Sequence, residues 1–225
     1  MREVAAAGDV ETRFLFPTPI AQAHLSGHED LNERLYETAV AWQRENGQAP
    51  KHVDAWEVLR GWEIGPDFFG VLAEAAPVRE LRDAIERCFL DYVNRHHLAL
   101  DFSPPRVADS CSIGASWATM IRDNALLADE HIHHGTHFVG VYYVKVPDEI
   151  DGRDNEAGYL VLRDPRPGMH VSRLGGQKTV ELVRPEPGLL VLMPAYVSHA
   201  VRPFWEGGER LSVNCNINIG GLRLR

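Results

Sequence analysis

The chain has 225 residues, of which 44% are apolar and 24% charged, and its 23 Lys and Arg against 32 Asp and Glu leave a formal net charge of −9. That size suits one domain, that composition excludes a largely disordered chain, and the acidic balance argues against a binder of nucleic-acid phosphates. No run of about 18 apolar residues occurs, so no membrane span is expected.

The opening MREVAAAGDVETRF has no apolar core of a secretory signal. Cys88, Cys111 and Cys215 are three, widely spaced and without a CxxC pair, which fits a reducing, cytoplasmic setting better than a disulfide framework. Leu31, Leu35, Ala39 and Trp42 recur at helical spacing and predict a helix over about 28–45. Ser26 or the Glu29/Asp30 pair would cap or charge its N-terminus. A longer helix follows Pro77, with Leu81, Ile85, Cys88/Phe89 and Tyr92 as one apolar stripe facing the core. His96 and His97 end it, where a surface role complementing the helix dipole is expected. Pro104 and Pro105 mark a border between layers: an N-terminal strand and helical layer over 14–105, and a β core over 106–220, within a single domain.

Beyond that border the period changes. FVGVYYVKV (138–146), YLVLRD (159–164), KTVELV (178–183), GLLVLMP (188–194) and the strictly alternating RLSVNCNINI (210–219) read as strands, separated by Gly- and Pro-rich turns. The class is mainly β with flanking helices, a sandwich or barrel. Gly158 and Gly188 mark turns, and Gly140 a bulge or close backbone approach.

Of eleven histidines, four lie between 131 and 137. On a strand, His131 and His133 share a face with Asp129, and Ile132 points away. Neutral imidazole is the commonest metal ligand. Two on one face can share an ion if a third donor arrives, and His199, after the buried-looking GLLVLMP, is the natural candidate, with Asp129 an alternative to His133. Arg210, Ser212, Asn214 and Asn216 line one face of the last long strand, a face too polar to bury dry. Arg210 and Ser212 together can hold a carboxylate. His134 falls on the far face and His137 beyond a bend, where it could touch substrate; His170 lies in a loop and has no assigned role. Lys145 shares the parity of Tyr143 but reads first as a solvated strand end, and Trp117 as core or pocket wall.

Taken together, HxH (131–133), GVYYV (140–144), PxPGxLxxMPxxxxHxVxP (185–203) and ERxSxxxNI (209–217), with FPTPI (16–20) and Ser116-Trp117, resemble the 2-oxoglutarate and iron(II)-dependent oxygenases over about 14–219. The resemblance implies a double-stranded β-helix, or jelly roll, with helices outside. It implies Fe(II) held by His131, His133 and His199, and 2-oxoglutarate held at its far carboxylate by Arg210 with Ser212 and Tyr143. Tyr142 would point away. Most of that superfamily has a carboxylate where His133 stands, so three neutral ligands leave the centre one unit more positive. The implied reaction is oxidative decarboxylation of 2-oxoglutarate by dioxygen, coupled to hydroxylation of a small-molecule or peptide substrate that the sequence does not identify.

Two other readings stand beside it: a cupin-like three-His metalloenzyme that does not use 2-oxoglutarate, and a non-catalytic metal-binding β-sandwich. No nucleic-acid or membrane partner is expected, and a homodimer stays open.

Overall fold

The apolar stripe of the first helix works as its spacing requires. In a computed structural model that describes residues 17–47, 61–97, 106–122, 130–151, 156–168, 175–204 and 208–224, helix α1 runs His28–Asn46 and buries Leu31, Leu35 and Ala39. No side chain caps it. Gly27 stands at the N-cap with φ 68° and ψ 25°, a left-handed conformation that glycine adopts without steric cost, and Glu29 and Asp30 supply first-turn charge. Helix α2 spans Ala76–Tyr92 with Pro77 in its first turn, and buries Leu81, Ile85 and Phe89. A π-helical turn, Val93–His97, follows it. The border at Pro104 and Pro105 lies outside the described residues.

The strands in chain order are β1 (Ala21–His24), β2 (Trp62–Ile64), β3 (Arg106–Ala108), β4 (Cys111–Arg122), β5 (Phe138–Lys145), β6 (Leu160–Arg163), β7 (Val180–Val183), β8 (Leu189–Pro194), β9 (His199–Val201), β10 (Glu209–Ile219) and β11 (Leu222–Leu224). A six-stranded sheet has the order β1-β8-β5-β10-β4-β2, a three-stranded sheet the order β7-β6-β9, and β11 pairs with β3. Every pairing between these strands is antiparallel. The core-strand positions agree with the sequence expectation to within two residues, whereas β4, twelve residues long, has no counterpart in it.

Alternation sorts the side chains into two cores. One face of the large sheet carries Phe138, Tyr142, Leu190, Leu211, Val213, Cys215 and Ile217 against the helices. There Tyr142 donates to Asn32 Oδ1 at 2.7 Å, and Phe89 meets Phe138 edge-on at 5.1 Å between ring centroids. The opposite face carries Val139, Val141, Tyr143 and Val191 toward Leu160 and Leu162 of the small sheet. The site is built in that inner layer. Among the described residues no helix is long and apolar enough to cross a membrane.

One ionic cluster locks the start of β10. Glu209, whose side chain is 20% exposed, accepts from Arg122 Nε at 2.8 Å, from Lys145 Nζ at 2.9 Å and from Tyr36 of α1. Burial pushes its carboxyl upward, but the bonds from Tyr36, Lys145 and Arg122 outweigh that and bring its pKa down to about 2. A depressed carboxyl stabilises the fold above its ordinary value near 4.5, and this contribution fades as pH falls toward 2. Glu209→Gln is therefore expected to cost about 1–2 kcal/mol at pH 7. In urea unfolding, the gap from the wild type should shrink as the buffer is taken below pH 4. A gap independent of pH rejects the ionic account.

Candidate metal and co-substrate site

The HxH segment is not a strand. His131 makes a single antiparallel bridge to His199, with both backbone bonds formed: His131 N to His199 O at 3.0 Å and His199 N to His131 O at 2.9 Å. His133 N donates to Ala195 O at 3.1 Å. This pairing carries the segment alongside β9, beyond the β9–β6 ladder in which Leu162 opposes His199. The three imidazoles converge. Ring centroids lie 4.4 Å apart for His131–His199 and 5.2 Å for both His131–His133 and His133–His199.

One ring nitrogen from each lies within 4.8 Å of the others. Nitrogens sharing one ion at about 2.1 Å stand roughly 3 Å apart, so small ring rotations suffice. The tautomers suit this. His199 Nδ1 lies 3.0 Å from the carbonyl of Val197, which only accepts, so Nδ1 carries the proton and Nε2 keeps its lone pair. His133 Nδ1 lies 2.6 Å from Asn216 Oδ1. Burial holds both imidazoles neutral, pressing His133 below its ordinary value and His199 down to about 4.

A carboxylate braces the two ligand-bearing segments from outside. Glu130, next to His131, accepts from Ser198, next to His199, at 2.7 Å and also pairs with Arg163. The hydrogen bond from Ser198, together with Arg163, lowers the Glu130 pKa against a small opposing effect of burial.

Further along the inner layer lies the second constellation. Arg210 is 3% exposed and Ser212 2% exposed. Ser212 stands opposite Thr119 on β4 and Tyr143 on β5. The guanidinium carbon of Arg210 lies 5.1 Å from the centre of the fully buried Tyr143 ring. Neither Arg210 Nε nor Tyr143 Oη meets a hydrogen-bond partner among the described residues. Burial lowers the Arg210 pKa and raises that of Tyr143, each partner pulling the other back. A buried cation and a buried phenol, both with orphaned polar atoms, form a socket that a carboxylate would satisfy.

Other candidates from the sequence fall elsewhere. A register shift between Leu211 and Ser212 inserts an extra residue on β5, so Lys145 opposes Leu211 and turns outward to Glu209 and the ring of Tyr36. It stands apart from Tyr143, whose parity it shares on paper. His134 is exposed. His137 is exposed too and accepts through Nδ1 from Ile219 N at 3.1 Å, which ties down the end of β10. Trp117, opposite Asn214 on β10, brings its ring edge-on to His133 at 6.3 Å. Asp129 and His170 lie outside the described residues. The sequence reading missed the partnership of Asn216 with His133; their shared polarity on paper carried no sign of it.

A cavity of about 580 Å³ opens beside Val197 and Leu162. The cations on its rim are paired, Arg166 with Asp164, Lys178 with Glu181 and Arg163 with Glu130, so it carries little uncompensated charge.

Comparison with solved structures gives the same architecture. AviO1 from Streptomyces viridochromogenes Tue57 superposes with a TM-score of 0.58 at 13% identity, covering 92% of each chain. A prolyl-4-hydroxylase from Pseudomonas putida superposes with a TM-score of 0.56 at 15% identity, covering 90% of this chain and 93% of that one. HygX from Streptomyces hygroscopicus, with nickel and 2-oxoglutarate bound, gives 0.55 at 13% identity, covering 90% of this chain and 83% of that one. The fold is the double-stranded β-helix of these proteins. A search of curated proteins gives no match. The model of the family described as "Putative 2OG-Fe(II) oxygenase" matches residues 115–216, a span that contains β5 to β9, all three converging histidines, Arg210 and Ser212. Over this segment the chain is similar to the 2OG-Fe(II) oxygenases.

Proposed function

We propose that His131, His133 and His199 hold iron(II), and that Arg210, Ser212 and Tyr143 hold the far carboxylate of 2-oxoglutarate, in an enzyme that hydroxylates a small molecule or a peptide. The observation that carries this reading is the pairing of two features in one inner layer: three imidazoles with ring nitrogens gathered within 4.8 Å, and a buried guanidinium with no carboxylate of its own among the described residues. The orphaned Arg210 favours 2-oxoglutarate over the cupin-like alternative, since a three-His oxidase without that co-substrate has no use for a buried, unpaired cation. Among the described residues three donors gather rather than four, which favours an open, reactive centre over a closed structural one.

When bound, iron(II) with dioxygen converts 2-oxoglutarate to succinate and carbon dioxide and delivers one oxygen atom into a substrate C–H bond. This chain's residues prepare the setting. His199 and His133 keep their Nδ1 protons on Val197 O and Asn216, which aims Nε2 inward. Arg210 neutralises the co-substrate's distal charge, and Tyr143 and Ser212 donate to it in a layer from which Val141, Val191 and Leu160 exclude water. The helical layer over 14–105 supports the sheet from its other face, as a single domain with the core over 106–220. The substrate class stays open between metabolite and peptide; one neighbour, a prolyl hydroxylase from Trichoplax adhaerens with a TM-score of 0.57 at 13% identity, is solved with a peptide fragment. We place the enzyme in the cytoplasm, consistent with its unpaired thiols.

The test is uncoupled turnover. Protein loaded anaerobically with iron(II) and then given 2-oxoglutarate and dioxygen should release succinate and carbon dioxide in equal amounts, and removing the metal with a chelator should stop it. Fully metal-loaded protein that neither binds nor consumes 2-oxoglutarate rejects the reading.

A further inference from the structure

The imidazole that replaces the usual carboxylate needs its own support, and the structure supplies it from one side chain. His133 lies outside any strand, and its backbone N–H donates to Ala195 O. Its ring meets Asn216 Oδ1 through Nδ1 at 2.6 Å and the edge of Trp117 on another side. Asn216 sits in β10, which is flanked by β4 and β5. The irregularity beside it lies on β4: β10 pairs with β4 at Cys215–Ser116 and again at Ile217–Ile113, so Gly114 and Ala115 stand opposite Asn216, while Asn216 keeps its register with Val139 of β5. Asn216 therefore reaches His133 by the regular alternation of β10, on the face opposite Cys215 and Ile217.

We propose that Asn216 is the positioning residue of the metal centre: it fixes His133 as the Nδ1-protonated tautomer with Nε2 toward the ion, and, being neutral, keeps the centre at the charge of three uncharged ligands. The amide oxygen accepts the Nδ1 proton without adding negative charge. A carboxylate at the same place would bind the same proton more strongly, make the imidazole a stronger donor and return part of the charge that HxH lacks. The proposal rests on His133 being a ligand, as read above.

The experiment compares wild type, Asn216→Ala, Asn216→Asp and His133→Ala by anaerobic titration with cobalt(II) alone, without 2-oxoglutarate, and by the reduction potential of the iron-loaded proteins. Asn216→Ala should bind cobalt(II) tenfold to a hundredfold more weakly. Asn216→Asp, which is isosteric and keeps the bond, should bind at least as tightly as wild type and show a lower potential. Thermal unfolding of the metal-free proteins separates a folding defect from a loss of affinity. Wild-type affinity in Asn216→Ala, or an unchanged potential in Asn216→Asp, overturns the proposal while leaving the enzyme reading intact. Wild-type affinity in His133→Ala overturns the ligand assignment on which both rest.

Discussion

Arg210→Met should separate stability from function with opposite signs. In the protein free of ligands, Arg210 is buried with an unsatisfied Nε and no acidic partner among the described residues, so its burial is a cost that the fold carries. Replacing such an ion by an apolar side chain of similar length is neutral or stabilising by about 1–4 kcal/mol. Urea unfolding should therefore show the variant at least as stable as wild type. Its affinity for 2-oxoglutarate should fall by about 2–5 kcal/mol, roughly thirtyfold to several-thousandfold, because one partner of a desolvated charge pair is gone. Cobalt(II) affinity should not change, since none of the converging nitrogens belongs to Arg210. Calorimetric titration of 2-oxoglutarate into cobalt-loaded protein reads the decisive number. Wild-type affinity there removes Arg210 from the co-substrate site and turns the reading toward a three-His oxidase.

The sequence reveals most where one face of an element differs sharply from the other. Leu31, Leu35 and Ala39 repeat at helical spacing because that face of α1 reaches the core. β10 alternates cleanly because Leu211, Val213, Cys215 and Ile217 pack on helices while Arg210, Ser212 and Asn216 face the inner layer. β4 was not legible. Its run Gly114, Ala115, Ser116 is small and weakly β-forming, and it becomes a strand because β10 pairs along it and β2 joins its far end on the other side. Strand parity also misleads near irregular backbone. The bulge on β5 sends Lys145 outward, and His131 and His133 approach His199 through a lone bridge and a bond to Ala195, without the strand that parity assumes. The bond from His133 to Asn216 spans 83 residues of sequence and needs the register of β10 to be known before it can be inferred.

The remaining large effect concerns His199, the most buried of the three imidazoles at 5% exposed. His199→Ala removes one of three donors. Structural zinc held by four ligands gains about 10–16 kcal/mol, so one donor is worth on the order of 3–4 kcal/mol and its loss should weaken cobalt(II) binding several-hundredfold or more. Metal should raise the melting temperature of wild type and leave that of the variant where it was, because only a ligand that binds the native state shifts unfolding. The same residue sets an acid limit. Burial, with smaller contributions from His131 and His133 and against the bond to Val197, lowers its pKa from 6.5 to about 4. The unfolded chain therefore binds more protons between these values, so the neutral ring contributes stability in full above pH 6.5 and loses it as pH falls toward 4. Metal-free wild type should lose stability across that window more steeply than His199→Ala. Parallel pH profiles for the two proteins would mean that His199 is not held neutral by its surroundings, and with that the nitrogen aimed at the ion loses its physical basis.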